Sequence, residues 1–143
     1  MTNLPSTCPE CGAQTPPGLS CRDILAVILG WEGADSELFR LHFFTVACFN
    51  LQHPAQFTDE ALAGLKTGFR EVVDGAASVS LIRRQAGHAF EGKRRVLKPE
   101  ADRHPIRAEW EYTVADVYAR GRSAGAARRI RHWAGAVRSQ LIK

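Results

Sequence analysis

The segment Cys8-Pro9-Glu10-Cys11-Gly12 sets two thiols at the spacing at which a pair of thiolates can clasp one tetrahedral zinc ion. Gly12 follows the second sulfur with a residue free to turn the backbone amides toward it. Cys21 stands where the sequence starts a helix, and the positive end of the helix dipole stabilises a thiolate there, which makes it the natural third ligand. His42, Cys48 and His53 compete to be the fourth. If the helix that begins at Cys21 and the next one run antiparallel about a break near residue 34, the positions level with Cys21 lie near residue 47. That favours Cys48 or His53 over His42. At about 100° per residue, His42 and His53 share a face from which Cys48 points away. About 16 Å of helix separates the two histidines, so one ion cannot take both. The expected set is Cys8, Cys11, Cys21 and His53, with His42 as the alternative fourth ligand and Cys48 as a small buried side chain.

The elements that must position these residues are helical. Residues 1–20, with Pro5, Pro9, Pro16, Pro17, Gly12 and Gly18, form a zinc-knuckle head that cannot itself be a helix. Residues 21–86 supply the core helices. Ile24, Leu25, Val27, Ile28, Leu29 and Trp31 mark the first, and a second runs from a cap at Asp35 or Ser36 to about His53, where Pro54 stops it. Thr58 caps a third helix that ends near Gly75, and a weaker one spans about Ser78 to His88 with Val79 and Ile82 inward. Residues 87–112 read as a long connection packed down by Phe90, Val96, Leu97, Ile106 and Trp110. Residues 113–143 hold a short helix boxed by Thr113 and Asp116, and a final amphipathic helix capped by Ser123 with Ala127, Ile130, Ala134, Val137 and Leu141 on its apolar stripe. No alternation is long enough to build a sheet. The expectation is one all-α domain over residues 1–143, a compact bundle of about five or six helices.

The run His42-Phe-Phe-Thr-Val-Ala-Cys-Phe-Asn-Leu-Gln-His-Pro54 resembles the signature of a bacterial family catalogued as domain of unknown function 5946. The likeness extends to Cys8-Pro-Glu-Cys-Gly12, to Cys21 and Glu32, and to Thr113-Val-Ala-Asp-Val117 followed by a helix bearing Trp133. That family often has Asp where this chain has Ala47 and Tyr where it has Phe49, which removes two side chains from any catalytic scheme. The resemblance implies company at the level of fold and singles out Glu32, His42 and His53, but it implies no activity.

Composition narrows the classes. Hydrophobic residues make up 45% and charged residues 24%, as in a folded globule. No apolar run is long enough to span a membrane, and the start lacks a secretion signal, so the expected location is the cytoplasm, where closely spaced thiols bind metal rather than pair. The net charge of +4 hides a division between a first half rich in Asp and Glu and a second half rich in Arg. The basic half could face an acidic protein or nucleic acid, or the two halves could attract each other.

Motifs for a nucleophile elbow, a phosphate-cradling loop or a paired-histidine protease helix are absent, which leans away from an enzyme. The leading expectation is a zinc-stabilised helical binding or regulatory module. The alternatives are a small zinc-dependent enzyme with Glu32 or His42 managing protons near the metal, and a nucleic-acid binder using Arg120, Arg122, Arg128, Arg129 and Arg131.

Overall fold

The computed structural model of the chain describes residues 6–89 and 96–141. Its body is helical, as the periodicity requires. Helix α1, Cys21–Trp31, starts at a reciprocal cap: the Asp23 amide donates to Ser20 Oγ at 3.1 Å and the Ser20 amide to Asp23 Oδ2 at 2.9 Å. Asp35 caps α2, Ser36–Arg40, by accepting from the amides of Glu37 and Leu38. Helix α3 is His42–Gln52, and Pro54 opens a short 3₁₀ turn after it. Thr58 caps α4, Asp59–Val73, and α5 is Val79–Ala89. Helix α6, Val114–Tyr118, has the Thr113–Asp116 box, and α7 is Ala126–Gln140.

The one helix expected from residue 36 to 53 is therefore two. Leu41 between them has φ −93° and ψ 7°, and its amide bonds back to Leu38 in the tighter 3₁₀ manner. The Thr45 hydroxyl also bonds the Leu41 carbonyl, at 3.3 Å, a competition that bends helices.

Other boundaries depart from expectation for equally local reasons. Two-residue strands β1, Ser6–Thr7, and β2, Gln14–Thr15, pair antiparallel with Ser6 opposite Thr15, too short to leave an alternating pattern. Ser123 does not cap α7 with its side chain. That position belongs to Gly125 at φ 79°, and Ser123 contributes only its carbonyl to the Ala126 amide. Val96, Leu97 and Ile106 do not pack down as the long connection was expected to do, and Ile106 is 79% exposed. Backbone bonds tie that segment instead: the Thr58 amide donates to Val96 O, and the Lys98 amide to Gln56 O. Phe90 lies outside the described residues.

Helix α1 packs on α6, while α3 packs on α7 and α4, and α6 joins α7. Ile24 and Ile28 from α1, Phe69 from α4, Val114 and Val117 from α6, and Ile130, Trp133 and Val137 from α7 are all buried at the centre. Trp133, whose Nε1–H would be costly to strand there, donates to Gln52 Oε1 at 3.1 Å. Gln52 Nε2 in turn donates to the Tyr112 carbonyl at 2.7 Å. The last turn of α3 is thus anchored to α7 and to the segment just before α6, which fixes what the next residue, His53, can reach.

Candidate metal centre

The head folds as a knuckle. The Cys8 amide donates to the Ala13 carbonyl at 2.9 Å and the Gly12 amide to the Cys8 carbonyl at 3.1 Å, with Gly12 at φ 75° making the turn. Glu10, between the two cysteines, clamps the knuckle to the body. Its carboxylate accepts from the Ala55 amide at 2.9 Å, and its carbonyl from the Ala108 amide at 3.0 Å. Cys21 enters from the first residue of α1 and His53 from the end of α3.

Those four side chains converge. Their donor atoms all lie within 4.8 Å of one another, with Cys8 half-buried and the other three buried. Cys11 Sγ is 3.6 Å from Cys21 Sγ, and Cys8 Sγ is 3.5 Å from His53 Nε2. A tetrahedral ion with bonds of about 2.3 Å to sulfur and about 2.0 Å to nitrogen has edges of about 3.8 Å and about 3.5 Å, so the donors stand near metal-binding separations. The sulfurs are far beyond the roughly 2.05 Å of a disulfide, and all four cysteines are free. His53 Nδ1 donates to the Phe49 carbonyl at 2.7 Å, which fixes the tautomer and turns the Nε2 lone pair toward the sulfurs. Its ring stacks on Phe49 at 4.0 Å between centroids.

Three thiols this close cannot all ionise without a cation. The Cys11–Cys21 hydrogen bond lowers Cys11 to about 4, aided by His53, and the same bond together with burial pushes the Cys21 thiol up. Burial alone would lower His53, but its hydrogen bonds to Cys11 and Phe49 outweigh this and raise it. The cluster therefore holds protons that a divalent ion would displace on binding.

The remaining expected residues lie elsewhere. Cys48 is fully buried, pushed up by desolvation, and outside the cluster, as the helical angle required. His42 is not with the cysteines: its Nδ1 sits 2.8 Å from Glu32 Oε1. Cys21 and His53 thus meet at one end and Glu32 and His42 at the other, so α1 and α3 run antiparallel. About 16 Å of α3 separates the two histidines, which takes Glu32 and His42 away from the metal cluster.

Several arginines of the second half are engaged with the protein itself. Arg129 Nε donates to Val117 O at 2.9 Å and its Nη1 to Ala124 O at 2.8 Å, bracing the turn before α7. Arg131 pairs with Glu37 at 2.6 Å and Arg138 with Asp74 at 2.9 Å, so the two oppositely charged halves meet in the fold. Arg120, Arg122 and Arg128 are exposed. Sequence reasoning missed Glu10 and Gln52, whose importance rests on long-range backbone partners that no local pattern announces.

Residues 6–142 match the family described as "Family of unknown function (DUF5946)", and the chain belongs to that family. No curated protein and no solved structure matches it. Among the described residues no helix is long and apolar enough to cross a membrane.

Proposed function

We propose that this member of the family is a zinc-stabilised helical binding or regulatory module, in which Cys8, Cys11, Cys21 and His53 hold one structural zinc. The observation that supports it is the convergence of three sulfurs and one oriented imidazole nitrogen. Soft thiolates with one imidazole suit zinc, and four protein donors fill a tetrahedron, leaving no position for water or substrate. The metal would join a head with little apolar surface to the helical body, so metal binding and folding of the head are one event. The test is zinc stoichiometry by native mass spectrometry, combined with thermal melts before and after chelation. One zinc per chain and a large fall in melting temperature on chelation are expected; an apo form as stable as the zinc form overturns the reading.

A small zinc enzyme using Glu32 and His42 beside the metal is disfavoured by the length of α3 between them. Nucleic-acid binding has more behind it, since Arg120, Arg122 and Arg128 are exposed and have no ion-pair partner among the described residues. With these three cations engaged, the slope of log affinity on log salt should be about 3 in magnitude. Fluorescence anisotropy with a short duplex at several salt concentrations measures it, and affinity independent of salt removes this reading.

A further inference from the structure

The end of α3 remote from the cysteines carries a second arrangement of chemical interest. Glu32 follows the last residue of α1 and His42 is the first residue of α3. His42 Nδ1 lies 2.8 Å from Glu32 Oε1 and 3.1 Å from Oε2. The Nδ1–H donates to the carboxylate, and in the neutral ring the lone pair is then on Nε2. The Glu32 side chain is only 10% exposed, whereas that of His42 is 41% exposed. The holding end is shielded and the other end is open. A pair that merely satisfied buried polar groups would be buried at both ends.

His42 borders a pocket of about 170 Å³ with apolar walls from Phe43, Val46 and Leu65, and with Asn50 and Arg83 as its other polar members. Arg83 is exposed, and neither it nor His42 Nε2 has a hydrogen-bond or ion-pair partner among the described residues. At about 30 Å³ per water the volume equals five or six waters, or a molecule of about six non-hydrogen atoms. One exposed cation, one imidazole nitrogen without a partner among the described residues and an apolar wall suit a ligand with an anionic group, a hydroxyl and a short aliphatic chain.

We propose that this pocket is a binding site, separate from the metal centre, for a small hydroxy carboxylate. Arg83 pairs with the carboxylate, His42 Nε2 accepts from the hydroxyl, and Phe43, Val46 and Leu65 cover the carbon chain. Glu32 is a positioning residue, which keeps the Nδ1–H tautomer and so keeps Nε2 an acceptor. The site does not depend on the identity or presence of the metal except through the integrity of the fold.

The experiment is an NMR titration of the metal-loaded protein with lactate and, separately, with propionate, which lacks the hydroxyl. The ring resonances of His42 and the side chain of Arg83 are followed. Lactate should produce saturable shifts at both residues and bind about fivefold or more tightly than propionate. The exposed substitution R83Q should weaken lactate at least about tenfold with the helical circular dichroism unchanged. E32Q, whose amide oxygen still accepts from Nδ1, should retain the preference for lactate, and E32L should lose it. A tie that only joins α1 to α3 would leave the lactate-to-propionate ratio unmoved by E32L. No saturation into the tens of millimolar, equal affinity for the two probes, or an R83Q variant that binds as well as the parent overturns the proposal.

Discussion

Replacing Gln52 with Leu tests whether the Gln-His-Pro segment works as derived, with Gln52 anchoring α3 while its neighbour reaches the cysteines. Leu is close to Gln in volume, so the change removes hydrogen bonds without opening a large cavity. Trp133 Nε1–H, fully buried, loses its acceptor at 3.1 Å, and the Tyr112 carbonyl loses its donor at 2.7 Å. Each bond contributes about 1 kcal/mol net and a stranded buried group costs about 1–3 kcal/mol. The Tyr112 carbonyl is only part-buried and recovers some solvent, so the sum is about 2–4 kcal/mol. With a urea slope of about 2 kcal/mol per molar, the unfolding midpoint should fall by about 1–2 M. Circular dichroism at saturating zinc measures it without interference from metal loss. W133F and the double variant Q52L/W133F complete a cycle, in which the double variant should cost less than the two singles combined by about 1–2 kcal/mol. A loss below about 0.5 kcal/mol for Q52L, or strict additivity in the cycle, refutes the reasoning.

Further outcomes follow from the same geometry. G12A should destabilise the zinc form by about 1–2 kcal/mol and speed zinc loss to a chelator, because φ 75° disfavours any side chain and the new Cβ would meet Arg107 at 3.0 Å. The conformational cost should dominate, since the exposed Arg107 can move. C48A should leave metal stoichiometry at the wild-type value, and Cys48 should resist alkylation in the native protein, both read by mass spectrometry; its thiol is buried and held protonated. The Arg138 guanidinium holds the Asp74 carboxyl below the usual range, so wild type should exceed D74N in stability above the unfolded aspartate value of about pH 4. That advantage should vanish as pH falls through the lowered folded value and shrink in high salt, as matched thermal melts would register.

Much of the site could be read from the chain because its signals are local. The Cys8–Cys11 spacing, the Thr113 start and the Pro54 stop each act within a few residues. Counting along α1 and α3 favoured His53 over His42, and the structure brings His53 and not His42 beside the cysteines because the two helices run antiparallel. What escaped depends on tertiary partners. Glu10 matters through Ala55 and Ala108, Gln52 through Trp133 and Tyr112, and the engaged arginines through Glu37, Asp74 and backbone carbonyls. The division of the second helix at Leu41 was likewise hidden, because no Pro or Gly marks it and the break is made by the backbone at Leu41 and the Thr45 hydroxyl that bonds its carbonyl.

X-ray absorption at the metal edge of protein purified without added chelator addresses the central claim directly. Three sulfurs at about 2.3 Å and one nitrogen at about 2.0–2.1 Å around a single zinc are predicted, with the nitrogen lost in H53A and one sulfur lost in C21A. A shell with fewer than three sulfurs, an oxygen in the fourth position, or an unchanged shell in H53A contradicts it.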